Sequence, residues 1–153
     1  MARILLIEDS PTDVAVLTQM LEKSGHQVLS SGSAEEGIEL CKRELPDLVL
    51  MDVILPGMNG FQATRALSRD GATSAIPVLI VSTKGMETDR AWGLRQGAKD
   101  YIVKPPNAEA DAAPQPRRVE LLGQAGDVRQ AALLVIGQDV ERAAGHLRHR
   151  PAR

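Results

Sequence analysis

Leu48-Val49-Leu50-Met51-Asp52 is a run of four apolar residues that stops at a carboxylate. An uninterrupted apolar run this short reads as a strand buried on both faces, as the strands of a parallel sheet are, and the acid then stands at its carboxyl end. Working outward, Ile4–Ile7, Val28–Ser30, Val78–Val81 and Tyr101–Val103 read the same way. Helical patterns fall between them. Ser10-Pro11-Thr12-Asp13 offers an N-cap, a proline at the first helical position and an acidic third residue; Val14, Leu17 and Leu21 then recur on one face, and the helix ends near Gly25. Ser33-Ala34-Glu35-Glu36 is a capping box ahead of Ile38 and Cys41, and Leu45-Pro46 stops that helix before the 48–51 strand. Gly60–Leu67 and Glu87–Gln96 read as the next two helices, with Gly97 placed to terminate the second. Strands alternating with helices in this way predict an α/β fold, an open, doubly wound parallel sheet.

Composition narrows the function classes. With 153 residues, 43 % of them apolar, the chain can bury one sizeable core and carry at most a modest appendage. Its 18 basic residues against 20 acidic ones leave a net charge of −2, which provides no electrostatic footprint for nucleic acid or for an anionic membrane. The apolar run after Met1-Ala2-Arg3 is too short for a leader or a membrane span, so a soluble protein without membrane insertion is expected. The single cysteine, Cys41, has no internal disulfide partner and falls on the apolar face of its helix, where it reads as a core residue. A reducing cytoplasm fits best.

In a doubly wound sheet, ligands collect at the carboxyl ends of the central strands, where the direction of winding reverses. There the sequence places Glu8-Asp9, Asp52, Ser82-Thr83 and Lys104-Pro105. Three carboxylates gathered at one rim repel one another unless a cation compensates them, and oxygen-only ligands with room for water favour Mg²⁺. A carboxylate beside such an ion, with a lysine opposite, is arranged for phosphoryl transfer, in which positioning and neutralisation of oxygen charge do most of the catalysis. Asp52 is then the acceptor.

Glu8-Asp9, Met51-Asp52-Val53, Pro56-Gly57-Met58-Asn59-Gly60, Ser82-Thr83 and Lys104-Pro105, in this order, resemble the receiver domains of response regulators over residues 1–106. The resemblance implies a flavodoxin-like sheet of order 2-1-3-4-5. It implies Mg²⁺ held directly by Asp9 and Asp52, largely through water by Glu8, and by the main-chain carbonyl of Ile54. It further implies that Lys104 pairs with a phosphoryl oxygen, aimed by a cis Lys104–Pro105 peptide, and that Ser82 and Tyr101 form the switch that answers phosphorylation. The plainer alternatives are a helix-capping Ser82 and a half-buried strand tyrosine. Ile54 stands where the family often carries a polar group that tunes acyl-phosphate lifetime. Outside this set, Trp92 reads either as an exposed anchor for partners or as packing against the sheet, and His26 as a solvated turn residue.

Longer stretches, among them Met20–Leu29, Gly60–Arg65, Thr73–Pro77 and Trp92–Ala98, resemble the small twitching-motility regulators of the PilH type. That likeness implies a stand-alone regulator served by a chemosensory-type histidine kinase and acting on a downstream protein target. Such a protein accepts phosphate and catalyses its own phosphotransfer and dephosphorylation, and is not otherwise an enzyme. A phosphate sink without output and a passive interaction module with a non-native tail are the competing functions. A flavin protein on the same sheet is disfavoured, because Glu8-Asp9 would repel a flavin phosphate.

The pattern changes after Pro106. Residues 107–153 hold seven arginines, ten alanines and no lysine, and Pro114 and Pro116 interrupt the place of a fifth covering helix. The shift is what a GC-rich gene read in another frame would leave, and this tail is read as a replaced C-terminus. A clean single-frame gene with similarly tailed relatives would end that reading. Domain organisation is therefore a receiver core over 1–106 and an atypical, partly helical tail over 107–153, in which Val128–Leu147 or Val119–Leu122 is expected to cover the face normally taken by helix 5.

Overall fold

A computed structural model describes residues 2–103. The chain runs β1 (Arg3–Ile7), α1 (Pro11–Lys23), β2 (Gln27–Ser31), α2 (Ala34–Glu44), β3 (Leu48–Met51), α3 (Gly60–Arg69), β4 (Val78–Ser82), α4 (Glu87–Gln96) and β5 (Asp100–Val103). All neighbouring strands are parallel, in the order β2-β1-β3-β4-β5. The chain steps from β1 to β2 in one direction and then winds from β2 through β3 and β4 to β5 in the other. With right-handed crossovers, α1 lies on one face and α2, α3 and α4 on the opposite one. The reversal falls between β1 and β3, so the loops leaving those two strands share one rim of the sheet.

The two faces sort the apolar residues by alternation. Leu5, Ile7, Val49, Met51, Val78, Ile80 and Tyr101 face α2, α3 and α4, where Ile38, Cys41, Ala63 and Leu67 meet them. Ile4, Leu6, Leu48, Leu50, Leu79, Val81 and Ile102 face the other way, with Leu17, Met20 and Leu21 of α1 among them. A leucine or isoleucine buried this completely contributes roughly 1.5–3 kcal/mol of transfer free energy. Cys41 is fully buried in the first cluster, and burial pushes its thiol up to about 11. It is a core side chain and stays protonated near neutral pH.

The helix boundaries follow local chemistry. Ser10 accepts from the Asp13 N–H and Ser33 from the Glu36 N–H, each as an N-cap. A reciprocal box between Asn59 and Gln62 opens α3. α4 differs: Met86 gives it no side-chain cap, and Gly97 closes it in the left-handed region at φ 114°. Leu45, the C-cap of α2, also sits at positive φ, 44°, in front of Pro46. Trp92 is 47 % exposed, so it is not buried against the sheet. His26 is partly buried rather than freely solvated, and its Nδ1 accepts the Ala2 N–H at 3.1 Å. Among the described residues, no helix is long and apolar enough to cross a membrane. Lys104, the Lys104–Pro105 peptide, and the tail with its expected replacement for helix 5 lie outside the described residues.

Candidate functional site

The β1–β3 pairing aligns Ile7 with Met51, so the residues that follow, Glu8-Asp9 and Asp52, leave the sheet side by side. Backbone ladders extend one step beyond the strands to hold them there: Asp52 N–H donates to the Ile7 carbonyl at 3.0 Å, and Glu8 N–H to the Ser31 carbonyl at 3.0 Å. Carboxylate oxygens of Glu8, Asp9 and Asp52 all lie within 4.8 Å of one another. Glu8 and Asp52 are buried and Asp9 is exposed. One oxygen of Glu8 accepts the Ser10 N–H at 3.0 Å, and one of Asp52 accepts the Val53 N–H at 2.8 Å. These two backbone donors, themselves uncharged, orient the carboxylates.

Three carboxylates packed this closely, two of them away from bulk water, are destabilised by mutual repulsion and desolvation. A hard divalent cation with oxygen ligands offsets both, and this donor set, with no nitrogen or sulfur, fits Mg²⁺. Beside the cluster opens a groove of about 640 Å³, whose lining includes Glu8, Asp9, Pro11, Thr18 and Ser31. Glu8 and Asp9 are therefore reachable from solvent.

The other strand ends contribute neutral groups. Ser82, fully buried at the end of β4, accepts the Lys84 N–H on Oγ at 3.2 Å. Tyr101 of β5, 4 % exposed, donates its hydroxyl to the Lys84 carbonyl at 2.6 Å. One residue of the β4–α4 loop, Lys84, thus touches both side chains through its backbone. Burial pushes the Tyr101 phenol above its ordinary value, the Ser82 hydroxyl partly opposes this, and the negative charges of Asp89 and Asp52 add to the rise.

The response regulator receiver domain family matches residues 4–111. This chain belongs to that family. Protein PilH of Pseudomonas aeruginosa PAO1 is 59 % identical over 109 residues, which cover 71 % of this chain and 90 % of PilH. The N-terminal receiver of a response regulator from Methanoculleus marisnigri JR1 superposes with a TM-score of 0.64 at 35 % identity, over 69 % of this chain and 86 % of its own. The receiver domain of a sensor histidine kinase from Pseudomonas aeruginosa PAO1, with a magnesium ion coordinated in its active-site cleft, superposes with a TM-score of 0.69 at 24 % identity. That match covers 94 % of this chain and 98 % of that one, and at this identity it speaks for the fold.

Within this receiver, the structure brings Glu8, Asp9 and Asp52 together and sets Ser82 and Tyr101 on either side of Lys84. Ile54 is 53 % exposed in the loop after β3. Three further residues shape the site and escaped the sequence reading of roles. Gly60 begins α3 directly against Asp52: its N–H donates to the Val53 carbonyl at 2.9 Å, and a Cβ there would run into the Asp52 carbonyl oxygen. Glu35 of α2 accepts the Met58 N–H at 2.9 Å and so ties down the loop that carries Ile54. That bond, then one from its own N–H, holds the Glu35 carboxyl below the usual range against a small opposing effect of burial. Gly93 of α4 faces the Tyr101 ring. Glycines at 60 and 93 were visible as letters, but only the fold tells what a Cβ would strike.

Proposed function

We propose that this receiver is a phospho-accepting response regulator in which Asp52 takes a phosphoryl group from a chemosensory-type histidine kinase, in a pathway that governs pilus-driven twitching motility. The single observation that carries the reading is the convergence of the Glu8, Asp9 and Asp52 oxygens within 4.8 Å at the reversal of the sheet. The likeness to PilH, which extends over 90 % of that protein, supports the pathway and the stand-alone role.

Asp9, Asp52, water-linked Glu8 and the Ile54 carbonyl would hold Mg²⁺, and the ion, when bound, supplies neutralisation of the oxygens that gain charge in phosphoryl transfer. The chain's own residues do the rest. An Asp52 carboxylate oxygen attacks phosphorus; the bond from phosphorus to the phosphohistidine nitrogen breaks as the new P–O bond forms, and the departing imidazole keeps the electron pair and takes a proton. Val53 N–H keeps the other Asp52 oxygen in place during the attack. Lys104 pairs with a phosphoryl oxygen, and the Ser82 hydroxyl donates to another once it has released the Lys84 N–H. Tyr101 follows through the loop to which both are bonded, which makes the pair a biased two-state element.

The test is treatment with a small-molecule phosphodonor and Mg²⁺ followed by mass measurement. Wild type should gain the mass of one phosphate, and Asp52→Asn should gain none. An equal gain in Asp52→Asn would move the acceptor elsewhere.

A further inference from the structure

Gly93 lies in the middle of α4, where a glycine weakens the helix relative to alanine. An interior helical glycine generally has a packing or functional reason. α4 is exposed around most of its circumference, and Gly93 and Gln96 are its buried residues. On this narrow contact, a Cβ at position 93 would lie 2.9 Å from Ile80 Cδ1 and 2.9 Å from Tyr101 Cδ2, with Tyr101 Cε2 at 3.3 Å. Ile80 Cδ1 is the end of a flexible side chain. A tyrosine ring moves as a rigid plate, and its far end is fixed by the hydrogen bond to the Lys84 carbonyl. It relieves such an overlap by turning about χ1, away from α4.

We propose that Gly93 is the positioning residue that admits the Tyr101 ring to its inward seat, so that the bare α4 backbone at this point sets the balance of the Ser82–Tyr101 switch. The proposal deepens the signalling reading above and rests on it. Gly93 touches neither the phosphoryl group nor the metal ligands; it acts by leaving space for the ring. A single methyl group there should shift the ring outward, break the bond to Lys84 and separate phosphorylation from the response of α4, while leaving the acid cluster unchanged.

The chain holds one tyrosine and one tryptophan, so both can be read without labels. In Gly93→Ala, alkaline titration of the tyrosine absorbance should move down toward the ordinary phenol value, because the ring leaves its buried seat. Wild type should change its Trp92 emission on phosphodonor treatment; Gly93→Ala should still gain one phosphate by mass but lose that change, which is read one residue from the substitution. An unmoved tyrosine titration, or a full Trp92 response, would overturn the proposal. Should Gly93→Ala fold poorly, the Tyr101→Ala background decides: alanine at 93 becomes neutral or stabilising there if the ring is the obstacle. An equal penalty in both backgrounds would assign the constraint to Ile80 and refute the role given to the tyrosine. Failure of wild type to gain phosphate is a separate outcome: it counts against the functional reading, while the titration still reports on the ring.

Discussion

A glycine can matter more to a carboxylate than any charged neighbour when it determines where the backbone runs. Gly60 meets the peptide of Asp52 so closely that no side chain fits between them. The contact is with backbone rather than with the end of a flexible side chain, so it cannot be relieved by a rotamer change. Gly60→Ala should therefore cost near the upper end of the overpacking range, about 3 kcal/mol, and also slow phosphorylation by displacing Asp52. A urea midpoint and a rate of phosphate incorporation unchanged in Gly60→Ala would show that the loop accommodates a methyl group after all. The contrast with the acids explains what could be read from the sequence at this scale. Glu8, Asp9 and Asp52 announce themselves as the first polar residues after apolar runs, and strand alternation with parallel pairing suffices to bring them together. The Lys84 carbonyl, which accepts from Tyr101, is invisible in sequence because every residue has a carbonyl.

Elements were legible where hydrophobic period and capping chemistry agreed. β3 is apolar throughout and β4 is apolar up to its closing Ser82, and α2 opens on the Ser33 cap expected of it. Boundaries moved by a residue or two where the apolar period stops before the helix does: α3 continues to Arg69 and its Asp70 cap, past the last core leucine at position 67. Tertiary ties between elements could not be read. Glu35 is an exposed carboxylate in the first turn of α2, expected only as part of a helix start, yet it fastens the β3–α3 loop through Met58 N–H. Its folded-state carboxyl is held below the ordinary value of 4.5, chiefly by that bond. A lowered acid contributes stability that is present above its unfolded value and lost as pH falls through the folded one. Glu35→Ala should accordingly lower the urea midpoint at neutral pH, and the gap from wild type should close as pH drops below about 4.5. Glu35→Gln, which keeps an acceptor oxygen, should lie between the two. A gap that persists at low pH would mean that the side chain acts through packing or helix propensity instead.

At the scale of the whole molecule, the site works against the fold that builds it. A chain with a net charge of only −2 concentrates three carboxylates at one rim, so the repulsion is local and is not diluted by overall charge. Folding without a cation must bear that cost, and any ion bound only by the folded state returns it through linkage. For Mg²⁺ at a hundredfold excess over its dissociation constant the gain is about 2.7 kcal/mol. Wild type should therefore melt at a higher temperature with Mg²⁺ than with a chelator. Asp52→Asn removes one of the crowded charges while keeping an oxygen for the Val53 N–H. It should be more stable than wild type in chelator, gain less from Mg²⁺, and lose its advantage as the ion saturates. High monovalent salt should change the difference in chelator only modestly, since Glu8 and Asp52 are buried and repulsion between buried charges is screened much less than between exposed ones. If instead wild type melts at the same temperature with and without Mg²⁺, and Asp52→Asn is the less stable of the two in chelator, the three acids are not repelling one another across a shared site. The proposed metal site would then fall together with the proposal that Asp52 accepts phosphate.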